Sequence, residues 1–236
     1  VQGMANAFLK MRYAFDSKDA AELNKKISET MYFGALSQST RSCRDEYKRM
    51  AKLCRSGTPV TVTQYNSENY EEKQVTYINA KDIPHTVYAH PSFLWNGGSP
   101  LANGQFHWEL YGLDKTKLSG MWDWETLRGH IQQFGVRNSL SIALMPTAST
   151  AQLLGNNECF EPFTSNIYKR KTIAGEFIVI NKYLINDLYR LGMWNDNIME
   201  YLMHLEGSVQ NIEGIPDKLK ALYKTAWEIK QSTLIK

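Results

Sequence analysis

Cysteine is scarce in this sequence, and so are long apolar runs. The 236 residues contain three cysteines, an odd number without C-x-x-C spacing, which argues against a zinc ribbon and a secreted disulfide framework. No apolar run approaches the length of a membrane span, and the first residues lack the basic and apolar regions of a signal peptide. We therefore expect a cytoplasmic protein with no membrane segment.

The sequence also lacks a strong excess of either charge, since 27 basic and 24 acidic residues give a net charge of +3 at pH 7. Such a mild, scattered charge offers no electrostatic footprint for nucleic acid, and the basic cluster at residues 169–171 is predicted to be a solvated face. The chain begins with Val1 instead of methionine and ends inside an amphipathic helical pattern without a stop signal. We expect it to be a fragment of a longer protein.

Residues 140–157 change from a strand pattern to a loop pattern and then to a helix pattern. Residues 140–145 are mostly apolar and predict a buried strand. Pro146 ends this strand because proline has no N–H group to donate to a neighbouring strand. The next four residues, 147–150, are small and mostly carry hydroxyl groups, so the chain can pass close to a ligand there.

A short helix is predicted to begin inside this loop. Ser149 or Thr150 has the side chain of an N-cap, Gln152 is placed to complete a capping box, and Gly155 ends the helix. The start of a helix leaves several backbone N–H groups unpaired at the positive end of its dipole. Such a cluster of donors, with hydroxyl groups close by, suits a phosphate group.

This junction is therefore a candidate phosphate site, in which amides and hydroxyls would be the donors. The loop contains no lysine, and the chain lacks the G-x-x-x-x-G-K-[ST] and G-x-G-x-x-G patterns of other phosphate-binding loops. The alternative is a capped helix without a ligand, which the spacing alone slightly favours. The candidate site residues are Thr147, Ala148, Ser149 and Thr150, with Pro146 as support.

The rest of the chain is predicted to be mainly helical, with one hairpin and one irregular segment. The predicted elements are two helices in the first forty residues, the second capped by Asp16 or Ser17 and continuing to Arg55; a hairpin of residues 60–65 and 74–78; an irregular segment at 84–120 held by aromatic residues; a helix from Asp123 to Phe134; a buried strand at 177–180; a helix ending at Gly192; a helix around residues 198–205; and a last helix that opens at Pro216 and buries Trp227.

Several residues that can carry chemistry receive no role in this interpretation. Cys43 and Cys54 share one helical face about 16 Å apart, too far for a disulfide. Cys159 has no histidine near it in sequence, so we expect a buried or loop thiol. No metal pattern is present, and the remaining candidates are predicted to be ordinary polar surface groups: His85, His90, His107, Glu158 and Glu161.

The run MPTASTAQLLGNNE at residues 145–158 closely resembles the large (alpha) subunit of class I ribonucleotide reductases of the eukaryotic and large-DNA-virus type. Cys159, Phe160 and Phe163 depart from the usual Ser, Ile and Tyr, but they follow the loop. The resemblance leaves roughly residues 41–117 unmatched. The other motifs that carry it are VQG (1–3), MRY (11–13), YFGAL (32–36), WDW (122–124), GVRNS (135–139), EP (161–162), TSNIY (164–168), GEF (175–177), IPD (215–217) and LYKTAWE (222–228).

This resemblance implies an enzyme that reduces ribonucleoside diphosphates to deoxyribonucleoside diphosphates for DNA synthesis by thiyl-radical chemistry. It implies that residues 147–150 bind the substrate diphosphate, and that the catalytic cysteines lie outside this chain. The implied fold class is α/β, a ten-stranded α/β barrel of which the chain supplies part. Residues 1–236 would then belong to one catalytic barrel domain, with approximately 41–117 as an inserted hairpin and loop region.

The resemblance also implies partners. This segment would hold no cofactor, whereas the full enzyme would use a metal and radical cofactor on a small (beta) subunit, a dithiol reductant and nucleoside triphosphate effectors. A homodimer of large subunits is expected. Two alternatives remain open at this stage. One is another α/β enzyme or module that binds a phosphorylated ligand, and the other is a structural or partner-binding domain whose function depends on residues 41–117.

Overall fold

The structure is a computed structural model, and it describes residues 1–66, 71–94 and 98–235. These residues form two compact units. The terminal unit contains Val1–Asn24 and Leu144–Lys236, and the central unit contains Lys25–Ala143. Among the described residues, no helix is both long and apolar enough to cross a membrane.

The regular elements of the described residues are mostly helices. In chain order they are α1 (Met4–Met11), α2 (Lys18–Arg55), β1 (Val60–Tyr65), β2 (Glu72–Tyr77), α3 (His107–Leu110), α4 (Trp124–Phe134), α5 (Ala148–Leu154), β3 (Ile167–Thr172), β4 (Gly175–Ile180), α6 (Lys182–Arg190), α7 (Asp196–His204), α8 (Asp217–Leu222) and α9 (Gln231–Ile235). Short 3₁₀ turns lie at Ala80–Asp82, Pro91–Leu94, Lys115–Lys117 and Ala226–Glu228.

The first two helices confirm the sequence prediction. Ser17 caps α2, because its hydroxyl oxygen accepts a hydrogen bond from the N–H of Ala20 at 3.1 Å. The helix then continues without a break to Arg55. Gly57 follows with a φ of +83°, a left-handed conformation that glycine adopts easily and that ends the helix.

β1 and β2 form an antiparallel hairpin in the central unit, with Val60 opposite Tyr77. β1 has the predicted bounds, and β2 begins at Glu72, two residues before the predicted start. The loop predicted between them falls partly on residues 67–70, which lie outside the described residues. The buried face of the hairpin packs in one apolar cluster with α2; its buried members are Met50, Ala51, Cys54, Val60, Val62 and Ile83.

Aromatic side chains hold the irregular segment of the central unit, as the sequence predicts. Phe106 is 1% exposed and Trp124 is 2% exposed, and their ring centroids lie 5.0 Å apart. Trp108 completes the group, with its ring 4.5 Å from Phe106 and 4.2 Å from Trp124. Residues 95–97 of this segment lie outside the described residues.

α4 also matches its prediction. The Asp123 carboxylate accepts a hydrogen bond from the N–H of Thr126 at 3.0 Å, and Gly135 ends the helix with a φ of +76°. A Cβ on Gly135 would lie 2.4 Å from the Cβ of Ala89, so glycine also permits a close approach there.

The core of the terminal unit is built from α6, α7 and α8 with the first residue of β3. Leu188 and Leu202 are fully buried in it, and Leu184 is 1% exposed. These leucines are buried as the sequence predicts, whereas Tyr189, assigned to the same apolar stripe of α6, is 61% exposed. The other buried members of this cluster are Leu9, Ile167, Val209, Ile212, Ile215, Leu222 and Tyr223.

The structure corrects the burial predicted for the strand at residues 177–180. These residues do lie in a strand, β4, which pairs in antiparallel register with β3. However, Phe177 is 52% exposed and Ile178 is 49% exposed. The reason is that β3 and β4 form a two-stranded sheet with no third described strand, which leaves most of both faces open to solvent.

The predicted buried strand at residues 140–145 is wrong. These residues have no regular secondary structure, and Leu140 is 86% exposed while Leu144 is 64% exposed. An apolar run becomes a buried strand only when neighbouring strands pair with it, and no strand of the described residues does so. The described strands form two antiparallel hairpins and close no barrel.

The last predicted helix is also shorter than expected. α8 ends at Leu222, and Trp227, predicted to be buried, is 82% exposed. The chain turns because the Glu228 carboxylate accepts a hydrogen bond from the N–H of Thr225 at 2.7 Å, which forms a capping box around a 3₁₀ turn.

Candidate functional site

The candidate phosphate loop leads directly into α5. The helix begins at Ala148, so the predicted N-cap at Ser149 or Thr150 is wrong. Thr147 is the N-cap instead, in a left-handed conformation with a φ of 56°, and its side chain does not cap the helix. Its hydroxyl oxygen accepts a hydrogen bond from the N–H of Cys159 at 2.9 Å. Thr147 thus joins the start of α5 to the turn that follows it.

The first turn of α5 is open to solvent. Ala148, Ser149 and Thr150 are exposed, as is Pro146, whereas Ala151 is 1% exposed and anchors the helix. In the described part of the chain, the N–H groups of residues 148–150 have no acceptor, as expected for the first turn of a helix. The structure therefore brings the four predicted residues together around three open backbone donors.

The three hydroxyls of this loop differ in what they contact. Thr150 donates to the side-chain oxygen of Gln2 at 2.8 Å and lies 3.2 Å from the carbonyl oxygen of Thr147. The Thr147 hydroxyl oxygen accepts the N–H of Cys159. Among the described contacts, the Ser149 hydroxyl has no protein partner. Ser149 is therefore the side chain with the most freedom to bind a ligand.

Residues at the start of the chain hold the turn after α5. The N–H of Gly3 donates to the carbonyl of Asn157 at 3.1 Å, and the N–H of Asn157 donates to the side-chain oxygen of Asn6 at 2.6 Å. Gly155 ends α5 with a φ of 63°, which confirms the predicted stop. Lys182 donates to the carbonyl of Gly155 at 3.1 Å, so a positive charge lies at the negative end of the helix.

A polar cleft of about 690 Å³ lies beside the second half of α5 and the turn after it. Glu158 is half-buried and Glu161 is exposed, and both line this cleft together with the basic residues Arg170 and Lys182. The lining of the cleft includes Ala151 and Gln152 of α5 but none of residues 147–150.

Comparison with known proteins shows the family to which this sequence belongs. A family model described as "Ribonucleotide reductase, barrel domain" matches residues 1–236. The chain belongs to the ribonucleotide reductase barrel-domain family. The matched span includes residues 41–117, and the interpretation of that segment as an insertion stays a prediction.

The relatives of this reductase domain are longer proteins. The chain is 43% identical over 235 residues to the ribonucleoside-diphosphate reductase large subunit of Acanthamoeba polyphaga mimivirus. It is 42% identical to the large chain of Neurospora crassa and 40% identical to the large subunit of Arabidopsis thaliana. Each match covers the whole chain, but the chain spans only 20–23% of the length of these relatives. A class Id ribonucleotide reductase alpha subunit of Actinobacillus ureae is similar at 19% identity with a TM-score of 0.47, over the whole chain and 28% of its own length.

The reductase domain also contains a buried polar cluster that the sequence interpretation missed. Asp187 accepts hydrogen bonds from Arg12 at 2.5 Å and from the hydroxyl of Tyr223 at 2.6 Å. Burial, followed by the contact with Asp187, raises the pKa of Tyr223 above its ordinary value. The available signal was the position of Asp187 between Leu184 and Leu188, inside the apolar stripe of α6.

A second buried cluster joins the start of β3 to distant turns. Asn166 is 1% exposed, and its side-chain N–H groups donate to the carbonyls of Gly207 at 2.9 Å and Tyr223 at 2.8 Å. Its side-chain oxygen accepts from Asn181 at 2.9 Å. Asn166 lies in the TSNIY motif, so the motif signals a structural role as well as a family.

The cysteines of this reductase segment are buried, and none is paired. Cys159 is 4% exposed, which confirms the predicted buried thiol. Burial raises the pKa of the Cys43 thiol to about 11, so the neutral form is favoured. In the described part of the chain, no three side chains of His, Cys, Asp or Glu are grouped to hold a metal ion.

Proposed function

We propose that this chain is a segment of the large subunit of a ribonucleoside-diphosphate reductase, and that residues 147–150 bind the diphosphate of the substrate. Family membership and the names of the relatives support the first part. One observation carries the second: the MPTAST loop presents three open backbone N–H groups and the free Ser149 hydroxyl on one exposed turn.

Charge and geometry explain how this loop would bind a diphosphate. A diphosphate carries its negative charge on oxygens that accept several hydrogen bonds at once, and backbone N–H groups at the start of a helix point in one direction. The loop needs no lysine for this purpose. Such a site holds and orients the substrate but performs no chemistry itself, so the reacting cysteines are expected elsewhere in the full-length subunit.

The wider features of the enzyme belong to the same proposal. They are a ten-stranded α/β barrel, a homodimer of large subunits, a cytoplasmic location, a small subunit that supplies a metal and radical cofactor, a dithiol reductant and nucleoside triphosphate effectors.

A reduction assay tests the proposed activity. The full-length subunit is combined with its small subunit, a dithiol reductant and each of the four ribonucleoside diphosphates, and deoxyribonucleoside diphosphates are measured. We expect reduction of at least one substrate, and no turnover by residues 1–236 alone. Absence of product with a small subunit whose radical is intact, or turnover by the isolated chain, would contradict the proposal.

A further inference from the structure

The side chain of Gln2 reaches the candidate loop from a distant part of the sequence. Its oxygen accepts the hydroxyl hydrogen of Thr150 across 2.8 Å, although the two residues are 148 positions apart. This is the contact that joins the start of the chain to the first turn of α5. Gln2 itself is half-buried.

The backbone that follows Gln2 is held in place by two hydrogen bonds to Asn157. The N–H of Gly3 is hydrogen-bonded to the carbonyl of Asn157, and Asn6 in α1 accepts the N–H of the same asparagine. Gly3 has a φ of +78°, and a Cβ on it would lie 3.3 Å from the Asn156 side chain. The position of Gln2 relative to Thr150 is therefore fixed by backbone contacts and not by its side chain alone.

The hydrogen-bonding capacity of the two side chains decides whether Thr150 can donate to a ligand. Threonine has one hydroxyl hydrogen, and while Gln2 accepts it, Thr150 cannot donate it to a phosphate. A glutamine amide carries an acceptor oxygen and two N–H donors. If the amide rotates by half a turn, its N–H group donates to the Thr150 oxygen. The hydroxyl hydrogen then faces only the Thr147 carbonyl at 3.2 Å, a neutral acceptor that a charged phosphate oxygen can replace.

We propose that Gln2 is a positioning residue for the diphosphate loop, acting through Thr150. In the arrangement described, Gln2 keeps the Thr150 hydrogen; with the amide reversed, it holds the Thr150 oxygen and directs the hydrogen towards a phosphate oxygen. This inference rests on the proposed function of residues 147–150. Glutamate at this position can only accept, and methionine can do neither.

A double-mutant cycle tests the proposal in the full-length protein. The variants are Gln2→Met, Gln2→Glu, Thr150→Val and the combinations of each Gln2 change with Thr150→Val, with CDP and cytidine as ligands measured by calorimetry. We expect CDP affinity to fall roughly tenfold for Gln2→Met and further for Gln2→Glu, as for the loss of one hydrogen bond to a charged group. Cytidine affinity should be unchanged.

The decisive result is the coupling between the two positions. In the Thr150→Val background, Gln2→Met should cause no further loss of CDP affinity, because its effect passes through the missing hydroxyl. Equal losses in both backgrounds, or normal CDP binding by Gln2→Met, would overturn the role of Gln2. If Gln2→Met does not fold, Gln2→Glu keeps the shape but adds a charge that weakens CDP binding in both backgrounds, so the coupling is the part of its loss that disappears with Thr150→Val. If the unmodified protein does not prefer CDP to cytidine, the proposed function fails instead.

Discussion

Both units bury apolar side chains and a few polar ones, but the central unit has a cluster of packed aromatic rings and the terminal unit has a network of buried amides and a carboxylate. In the central unit, the rings of Phe106 and Trp124 pack at the centre of an aromatic cluster. In the terminal unit, Asn166, Asn181 and Asp187 are buried and form hydrogen bonds with defined partners. Packed rings need volume and shape, whereas a buried amide or carboxylate needs every partner in place. The candidate loop belongs to the unit that contains the buried amide network.

The largest effect should come from removing a ring of the central unit. Trp124→Ala should lower the free energy of unfolding by about 3–5 kcal/mol, because it removes buried apolar area and leaves a cavity. The matched control is Trp227→Ala in the terminal unit, where the side chain is 82% exposed and the change should stay within about 0.5 kcal/mol. Urea denaturation measures both, and similar losses would remove the contrast between the two tryptophans.

The next effect concerns the hydrogen bonds of the terminal unit. Asn166→Ala should lower the free energy of unfolding by about 3 kcal/mol, because it leaves the carbonyls of Gly207 and Tyr223 and the amide of Asn181 without their partner. Asn197→Ala on the exposed surface of α7 is the control and should be nearly neutral. If both substitutions cost little in urea denaturation, the buried amides do not hold this unit.

A smaller effect should appear at high pH in the central unit. Burial raises the pKa of Cys43 in the folded state to about 11 from the ordinary thiol value of 9.0, so the stability that the neutral thiol contributes is fully present below about pH 9. As pH rises towards 11, only the unfolded state loses the proton, and stability falls by roughly 2 kcal/mol. Stability measured from pH 8 to 11 should therefore fall more steeply for the unmodified protein than for Cys43→Ala. Parallel curves would show that Cys43 does not contribute this dependence.

Local signals in the sequence predicted the ends of several helices. Asp123 and Gly135 bound α4, and Ser17 caps α2, because a capping oxygen and a glycine act on neighbouring backbone groups. The composition of β1 likewise gave its bounds. These features depend on a few adjacent residues, so the local sequence is enough to predict where such a helix or strand begins and ends.

Features that depend on distant residues could not be predicted in the same way. The apolar run at 140–145 lacks a described strand to pair with, which its composition does not reveal. Thr147 adopts a left-handed conformation that threonine rarely uses, and its partner Cys159 is twelve residues away. The contact between Gln2 and Thr150 spans most of the chain. The motif located the candidate loop, but the structure was needed to show which of its hydroxyls is free.

Calorimetric titration of Ser149→Ala with CDP tests the central claim most directly. Thr147 is the N-cap and the Ser149 hydroxyl has no partner among the described contacts, so this substitution should leave folding intact. Losing one charge-assisted hydrogen bond, worth about 1.5–3 kcal/mol, should weaken CDP binding roughly 10- to 100-fold in the full-length protein. Cytidine binding, and CDP binding by the exposed control Ser232→Ala, should be unchanged. Normal CDP binding by folded Ser149→Ala would contradict the assignment of this loop as the diphosphate site.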